Sequence, residues 1–176
     1  MKQLQMLTEE QISLSLFENF DRQQYVTHCR RKIDGQWMVV ETAFVEQWYE
    51  EDYRHRAEEL KQTLREGGVV FAVFRQGMMK GFAAVESTFF GSRKQYLELS
   101  SIHVSADCRN QGIGRLLMDA CKQWAKAKGA QFLYISAHSS VESQAFYTAL
   151  GCREAREYSR LHVEKEPFDC QLEVEL

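Results

Sequence analysis

Between Gln95 and Cys152 the chain reads as strand, glycine turn, long helix, short strand, helix and glycine stop, an order that few folds accept. It implies a βαβ unit, two parallel strands joined by a crossover helix. The helix is clearest over Gly112–Lys128. There Ile113, Leu116, Leu117, Ala120, Cys121, Trp124 and Ala127 recur at helical spacing, and Gly129 ends the pattern behind Lys126 and Lys128. Phe132–Ala137 reads as a short buried strand, and Ser139-Ser140-Val141-Glu142 reads as a capping box that opens a helix stopped by Gly151. Arg153–Val163 and Asp169–Glu175 read as closing strands.

The N-terminal half supplies the rest of a sheet. Lys2–Leu7 is a strand candidate, and Thr8 with Gln11 forms a capping box for a short helix through Ile12, Leu16 and Phe20. Tyr25–Ile33 and Gln36–Thr42 flank Asp34-Gly35, a strong hairpin signal. A helix is expected from about Val45 to Arg65, closed by Gly67-Gly68. A second hairpin follows, with Val69–Arg75 and Lys80–Glu86 around Gln76-Gly77, and Gln95–Val104 is a further strand.

No linker, repeat or low-complexity tract interrupts the 176 residues, so residues 1–176 are expected to form one domain. With 44% hydrophobic residues the chain can build a core without a disulfide or metal staple. The five cysteines are odd in number with no CxxC pair, and the five histidines lack metal-ligand spacing, so reduced thiols and no metal are expected. A net charge of −3, with 22 basic residues scattered among 25 acidic ones, argues against a nucleic-acid partner. The longest apolar run, Val69–Phe74, is too short for a membrane span, and MKQLQMLTEE has no secretion-signal core, so a cytoplasmic location is expected.

The turn Arg109-Asn110-Gln111-Gly112-Ile113-Gly114 joins a strand to the N-terminus of the long helix. Unpaired backbone N–H groups and a positive dipole end meet there, which suits a phosphate. A dinucleotide fingerprint needs a third glycine where Leu117 stands, and a P-loop needs a Gly-Lys-Ser/Thr that is missing. Gly-x-Gly alone favours an ordinary strand-to-helix turn, since the pattern is common.

Two motifs together carry more. Arg109-x-x-Gly112-x-Gly114 resembles the Gln/Arg-x-x-Gly-x-Gly/Ala signature of the GCN5-related N-acetyltransferases (GNAT), and Ala145-Phe146-Tyr147-Thr148-Ala149-Leu150-Gly151 resembles that family's second motif. The resemblance is detailed over about Gln95–Cys152 and coarse elsewhere, with the Tyr25–Thr42 hairpin a departure from the minimal plan. It implies a single-domain α/β fold: a mixed, mostly antiparallel sheet flanked by helices, with a splayed parallel strand pair at the cofactor site.

It also implies acetyl-CoA as co-substrate. The turn residues Arg109 and Asn110 would shape the loop, and Gln111, Gly112, Ile113, Gly114 and Arg115 would offer backbone N–H groups to the pyrophosphate. The pantetheine arm would run along Ile102, His103 and Val104, with Ser140 where the family often has an asparagine. Tyr147 aligns with the tyrosine that protonates the departing thiolate, although by itself it reads as a core tyrosine. Glu98 falls where one branch of the family carries its general base, and reads equally as an exposed strand glutamate. His103 and His138 are weaker candidates for that base. Glu46, Glu50, Glu51 and Asp52 could attract a cationic amine or simply form a solvated helix face.

The function so implied is acetyl transfer to a primary amine, directly within a ternary complex. The acceptor would be a small molecule or peptide, no nucleic acid or membrane is involved, and a homodimer is allowed. Cys108 beside the loop raises a covalent route, yet it has no identifiable base partner. A non-catalytic acyl-CoA-binding or sensing module is the alternative.

Overall fold

Seven strands form one mixed sheet and two others stand apart as a hairpin, in a computed structural model that describes residues 1–176. The strands are β1 (Lys2–Met6), β2 (Gln23–Ile33), β3 (Gln36–Gln47), β4 (Val69–Arg75), β5 (Met78–Val85), β6 (Tyr96–Val104), β7 (Phe132–Ala137), β8 (Arg153–Glu154) and β9 (Cys170–Glu175). The helices are α1 (Glu50–Arg65), α2 (Ile113–Ala127), α3 (Val141–Ala149) and α4 (Arg160–Lys165). The large sheet runs β1-β4-β5-β6-β7-β9-β8, and β2 pairs only with β3. All its pairings are antiparallel except β6 with β7.

Helices cover both faces, which is why β4 and β5 are buried along nearly their whole length rather than alternating. On one face α1 lays Ala57 and Leu60 against Val70, Ala72, Phe82 and Ala84. On the other, α2 packs Ile113, Leu117, Met118 and Cys121 against Phe71, Val73, Ala83, Val85, Leu97 and Leu99. No helix is long and apolar enough to cross a membrane.

Four expectations need correction. The Thr8–Phe20 segment is two 3₁₀ turns, Glu9–Gln11 and Leu14–Phe17, rather than an α-helix. The tighter three-residue repeat places Phe17 and Phe20 on one side, with ring centroids 5.6 and 5.4 Å from Phe82. Gln11 still returns its side chain to the Thr8 N–H at 2.8 Å.

Val45–Gln47 belongs to β3, and α1 begins only at Glu50, because the hairpin register continues to Gln23 opposite Gln47. Arg153–Val163 is not one strand: pairing stops at Glu154, and Arg160–Lys165 turns helical, closed by an Arg160–Glu164 ion pair at 2.6 Å. At α3 the capping residue is Ser140, whose Oγ accepts from the Ser143 N–H, so the cap lies one residue beyond the expected start.

The hairpin docks across the C-terminal half of the sheet. Arg30 N–H donates to Ser139 C=O at 2.7 Å, Cys29 bridges Ser140, and Lys32 Nζ reaches Glu154 at 2.8 Å. Its own turn is made by Asp34 and Gly35, both at positive φ (50° and 78°), as a tight right-twisted hairpin requires.

Candidate active site

A register shift in β6 sets up the site. Ala84 faces Ser101 and Val85 faces Leu99, so Ser100 is an extra residue, a β-bulge. Before it, Leu97 and Leu99 point to the α2 face; after it, Ile102 and Val104 do so, while Ser101 and His103 point toward α1. The parallel ladder to β7 covers only Tyr96, Leu97 and Glu98. From Leu99 onward β6 pairs with β5 alone and β7 pairs with β9 alone. The two strands therefore part, and the β7-facing edge of Ser100–Val104 carries no strand.

At the open end of that gap lies the glycine turn. The first bond of α2 runs from Leu116 N–H to Gly112 C=O at 3.2 Å, so the N–H groups of Ile113, Gly114 and Arg115 have no helical partner. Gly112 sits at φ 78°, and a Cβ there would meet only Lys2 Nζ, at 3.6 Å. Asn110 also has positive φ, 58°, which gives the turn its curl. Gln111 is held from the sheet edge: Lys2 Nζ donates to its carbonyl and Arg75 to its Oε1 at 2.6 Å. Arg109 Nε donates to Val104 C=O at 3.4 Å, and Arg115 donates to Ala149 C=O at 3.1 Å. The space above the turn, its free amides and its cations suit a phosphate group.

Tyr147 lies on α3 within the α2-side core, 9% exposed, and burial pushes its phenol well above the ordinary tyrosine value. The phenols of Tyr96 and Tyr134 are both hydrogen bonded, to Glu173 and Gln171 at 2.5 Å. That of Tyr147 has no partner within the protein. Ser140 is fully buried, and its hydroxyl already caps α3 and accepts from Gln24 Nε2 at 2.9 Å. Cys108 is buried in the core cluster beneath the turn.

Glu98 stands where β6 and β7 part. Its Oε1 lies 2.9 Å from His162 Nε2 on α4, and its side chain is 28% exposed. Further along the same face His103 packs against Trp48 (ring centroids 4.8 Å apart) and Phe82 (5.2 Å). Burial, reinforced by Arg22, Arg56 and Arg109, holds the His103 imidazole well below its ordinary value. Arg56 also donates to Ser101 Oγ at 3.0 Å.

His138, just past β7, has Nε2 3.4 Å from Glu46, which Arg22 also reaches at 2.9 Å. The His138 contact, with Arg22 adding to it, keeps the Glu46 carboxyl below the usual carboxylate range. Glu50 and Glu51 pair with Arg54, and Asp52 accepts from the Tyr49 N–H at the start of α1, so these three serve the helix itself.

Sequence reasoning passed over Trp48, Arg22, Arg56 and His162. The first three come together only when the hairpin and α1 close on β6, and His162 was hidden in a segment whose alternation imitates a strand. No local pattern marks any of them.

A family model described as Acetyltransferase (GNAT) family matches residues 36–152. No curated protein matches the chain. Among solved structures, nourseothricin acetyltransferase is 14% identical with a TM-score of 0.72, the alignment covering 99% of this chain and 98% of that one. A protein of Bacillus anthracis str. Ames described as a streptothricin acetyltransferase, in complex with acetyl coenzyme A, is 14% identical with a TM-score of 0.74 over 100% of both chains. PaiA N-acetyltransferase of Thermoplasma acidophilum, in complex with coenzyme A, is 12% identical with a TM-score of 0.64 over 100% of this chain and 99% of that one. At these identities the structures attest the fold, whereas the family match spans well over half of the sequence and takes in both the turn and Tyr147: the chain belongs to the GNAT acetyltransferase family.

Proposed function

We propose that the protein is an acetyl-CoA-dependent N-acetyltransferase that passes the acetyl group directly to a primary amine bound beside it. The observation that carries the reading is the parting of β6 from β7 after Glu98, which leaves a free β6 edge leading toward the unpaired amides of the α2 N-terminus. The residues present fit the co-substrate: Gly112 leaves the turn open, and the amides of Gln111–Arg115 would hold the pyrophosphate. The β6 edge at Ile102, His103 and Val104 would pair with the pantetheine amides, with Arg109 and Asn110 shaping the turn. Ser140 would contribute by fixing the start of α3, since its hydroxyl is already engaged.

When bound, acetyl-CoA supplies an activated acyl carbon. Glu98 removes a proton from the acceptor ammonium, so that an N–H bond breaks, an O–H bond forms on the carboxyl, and the lone pair is left on nitrogen for attack. This step is needed because an amine of pKa ~10.4 is only about one part in a thousand neutral at pH 7. As the C–N bond forms and the C–S bond breaks, Tyr147, kept protonated by its burial, gives its proton to the departing sulfur and regains one from the second N–H proton that the new amide nitrogen sheds. His103, held neutral, adds no charge that would oppose a cationic acceptor.

The test is release of free CoA from acetyl-CoA on adding a panel of primary amines, with nourseothricin and streptothricin included because two of the structural relatives are named for them. Amine-dependent release supports the enzyme. Tight acetyl-CoA binding with no release from any amine would leave the binding-module alternative.

A further inference from the structure

We propose that His162 is a positioning residue for Glu98, an inference that rests on the reading of Glu98 as the base. The imidazole is restrained on every side. Nε2 lies 2.9 Å from Glu98 Oε1, and Nδ1 lies 2.5 Å from Ser159 Oγ at the start of α4. The ring stacks on Phe90 at 5.6 Å and 27°, and leans on Tyr134 at 5.2 Å. Tyr134 is itself fixed, donating to Gln171 and accepting from the Ser159 N–H at 3.0 Å. The side chain of His162 is only 13% exposed, so this is not a surface histidine meeting a carboxylate by chance.

A glutamate on a strand has two equivalent carboxylate oxygens and three side-chain torsions. Acceptance of a proton requires one oxygen to be aimed at the acceptor nitrogen, and a loosely held base loses rate through misplacement. His162 engages Oε1, which leaves Oε2 as the free acceptor and stops the group from rotating. The Ser159 hydroxyl, as a donor to Nδ1, selects the tautomer with its proton on Nε2, beside the carboxylate. The role requires only an N–H at that point, not a titrating ring.

The experiment is a double-mutant cycle on kcat, with acetyl-CoA affinity and melting temperature measured on every variant. His162→Ala should lower kcat about tenfold or more with acetyl-CoA KM within about twofold, a split that a mere loss of packing would not produce. His162→Gln, which keeps an N–H donor, should recover most of that loss. In the Glu98→Gln background His162→Ala should cost nothing further. Ser159→Ala, which leaves the ring in place, should give a smaller loss in the same direction, and it stands in if His162→Ala fails to fold.

Equal losses from removing His162 with or without Glu98, or no recovery with glutamine, would overturn the positioning role while leaving Glu98 as base. A Glu98→Gln variant of normal activity would overturn the base reading itself, and this inference with it.

Discussion

Gly114 on α2 and Phe146 on α3 touch so closely that a Cβ on Gly114 would lie 2.5 Å from the phenylalanine ring. The second glycine of the turn is thus required by helix-to-helix packing, whatever lies above the loop. Gly114→Ala should destabilise the fold by about 1–3 kcal/mol through overpacking. A thermal melt checks this, and Phe146→Leu in the same chain should restore part of the loss.

Gly112 is required for a different reason, its left-handed backbone. Gly112→Asn tolerates that conformation and should keep coenzyme A binding within a few-fold, whereas Gly112→Asp adds a carboxylate where phosphate is proposed to sit. Calorimetric titration should show binding lost in the aspartate variant alone. Normal binding by a folded aspartate variant would displace the phosphate site from this turn.

Tyr147→Phe should lower kcat by about 10²-fold while KM for acetyl-CoA barely moves, since the role proposed for the hydroxyl begins only as the thiolate forms. Because burial raises its pKa, no alkaline loss of rate from this phenol is expected below its ordinary titration range. Steady-state kinetics with chemistry rate-limiting tests both points.

Glu98→Gln should cost on the order of 10²–10⁴ in rate near neutral pH. The deficit should narrow as pH approaches the amine's own value of about 10.4, where solution supplies the neutral nucleophile. A flat, small deficit with a lowered melting temperature would make Glu98 structural.

His103 gives a prediction about stability and pH. Its folded-state pKa is depressed, first by burial and then by Arg22, Arg56 and Arg109. As pH falls below about 6.5 the unfolded chain gains a proton that the folded protein refuses, so stability falls toward acid, by up to about 1.4 kcal/mol per pH unit from this group. Urea denaturation between pH 7 and 5 should show a shallower decline for His103→Phe.

The βαβ half was legible because its signals are local. The helical stripe from Ile113 to Ala127, the run Phe132–Ala137 and the glycine stops each act within a few residues, and the turns at Asp34-Gly35 and Gln76-Gly77 did likewise. What escaped was decided across the fold. Phe17 and Phe20 take a three-residue repeat because Phe82 waits on β5, and Arg160–Lys165 becomes helical where Tyr134 and Phe90 receive His162. The start of α1 was misplaced because Val45–Gln47 satisfies strand and helix patterns equally, and the partner strand settles the matter.

For the proposed site, the turn and Tyr147 were legible through the resemblance of two motifs to the GNAT family. The surroundings of Glu98 were not, since His162 lies 64 positions downstream, on α4 in the connection from β8 to β9.

The parting of β6 from β7 also gives the sheet a seam. Within the strand ladders, only the pairs Tyr96–Phe132, Leu97–Leu133 and Glu98–Tyr134 join β1, β4, β5 and β6 to β7, β9 and β8. A force pulling the two edges apart would unzip there first, and slow amide exchange should end abruptly at Glu98 on that side of β6. A ligand laid along the open edge is in effect the missing stitch. By mass action it would stabilise the closed garment by about 2.7 kcal/mol at a hundred times its Kd, which makes the melting temperature of the whole sheet a gauge of what fills one gap.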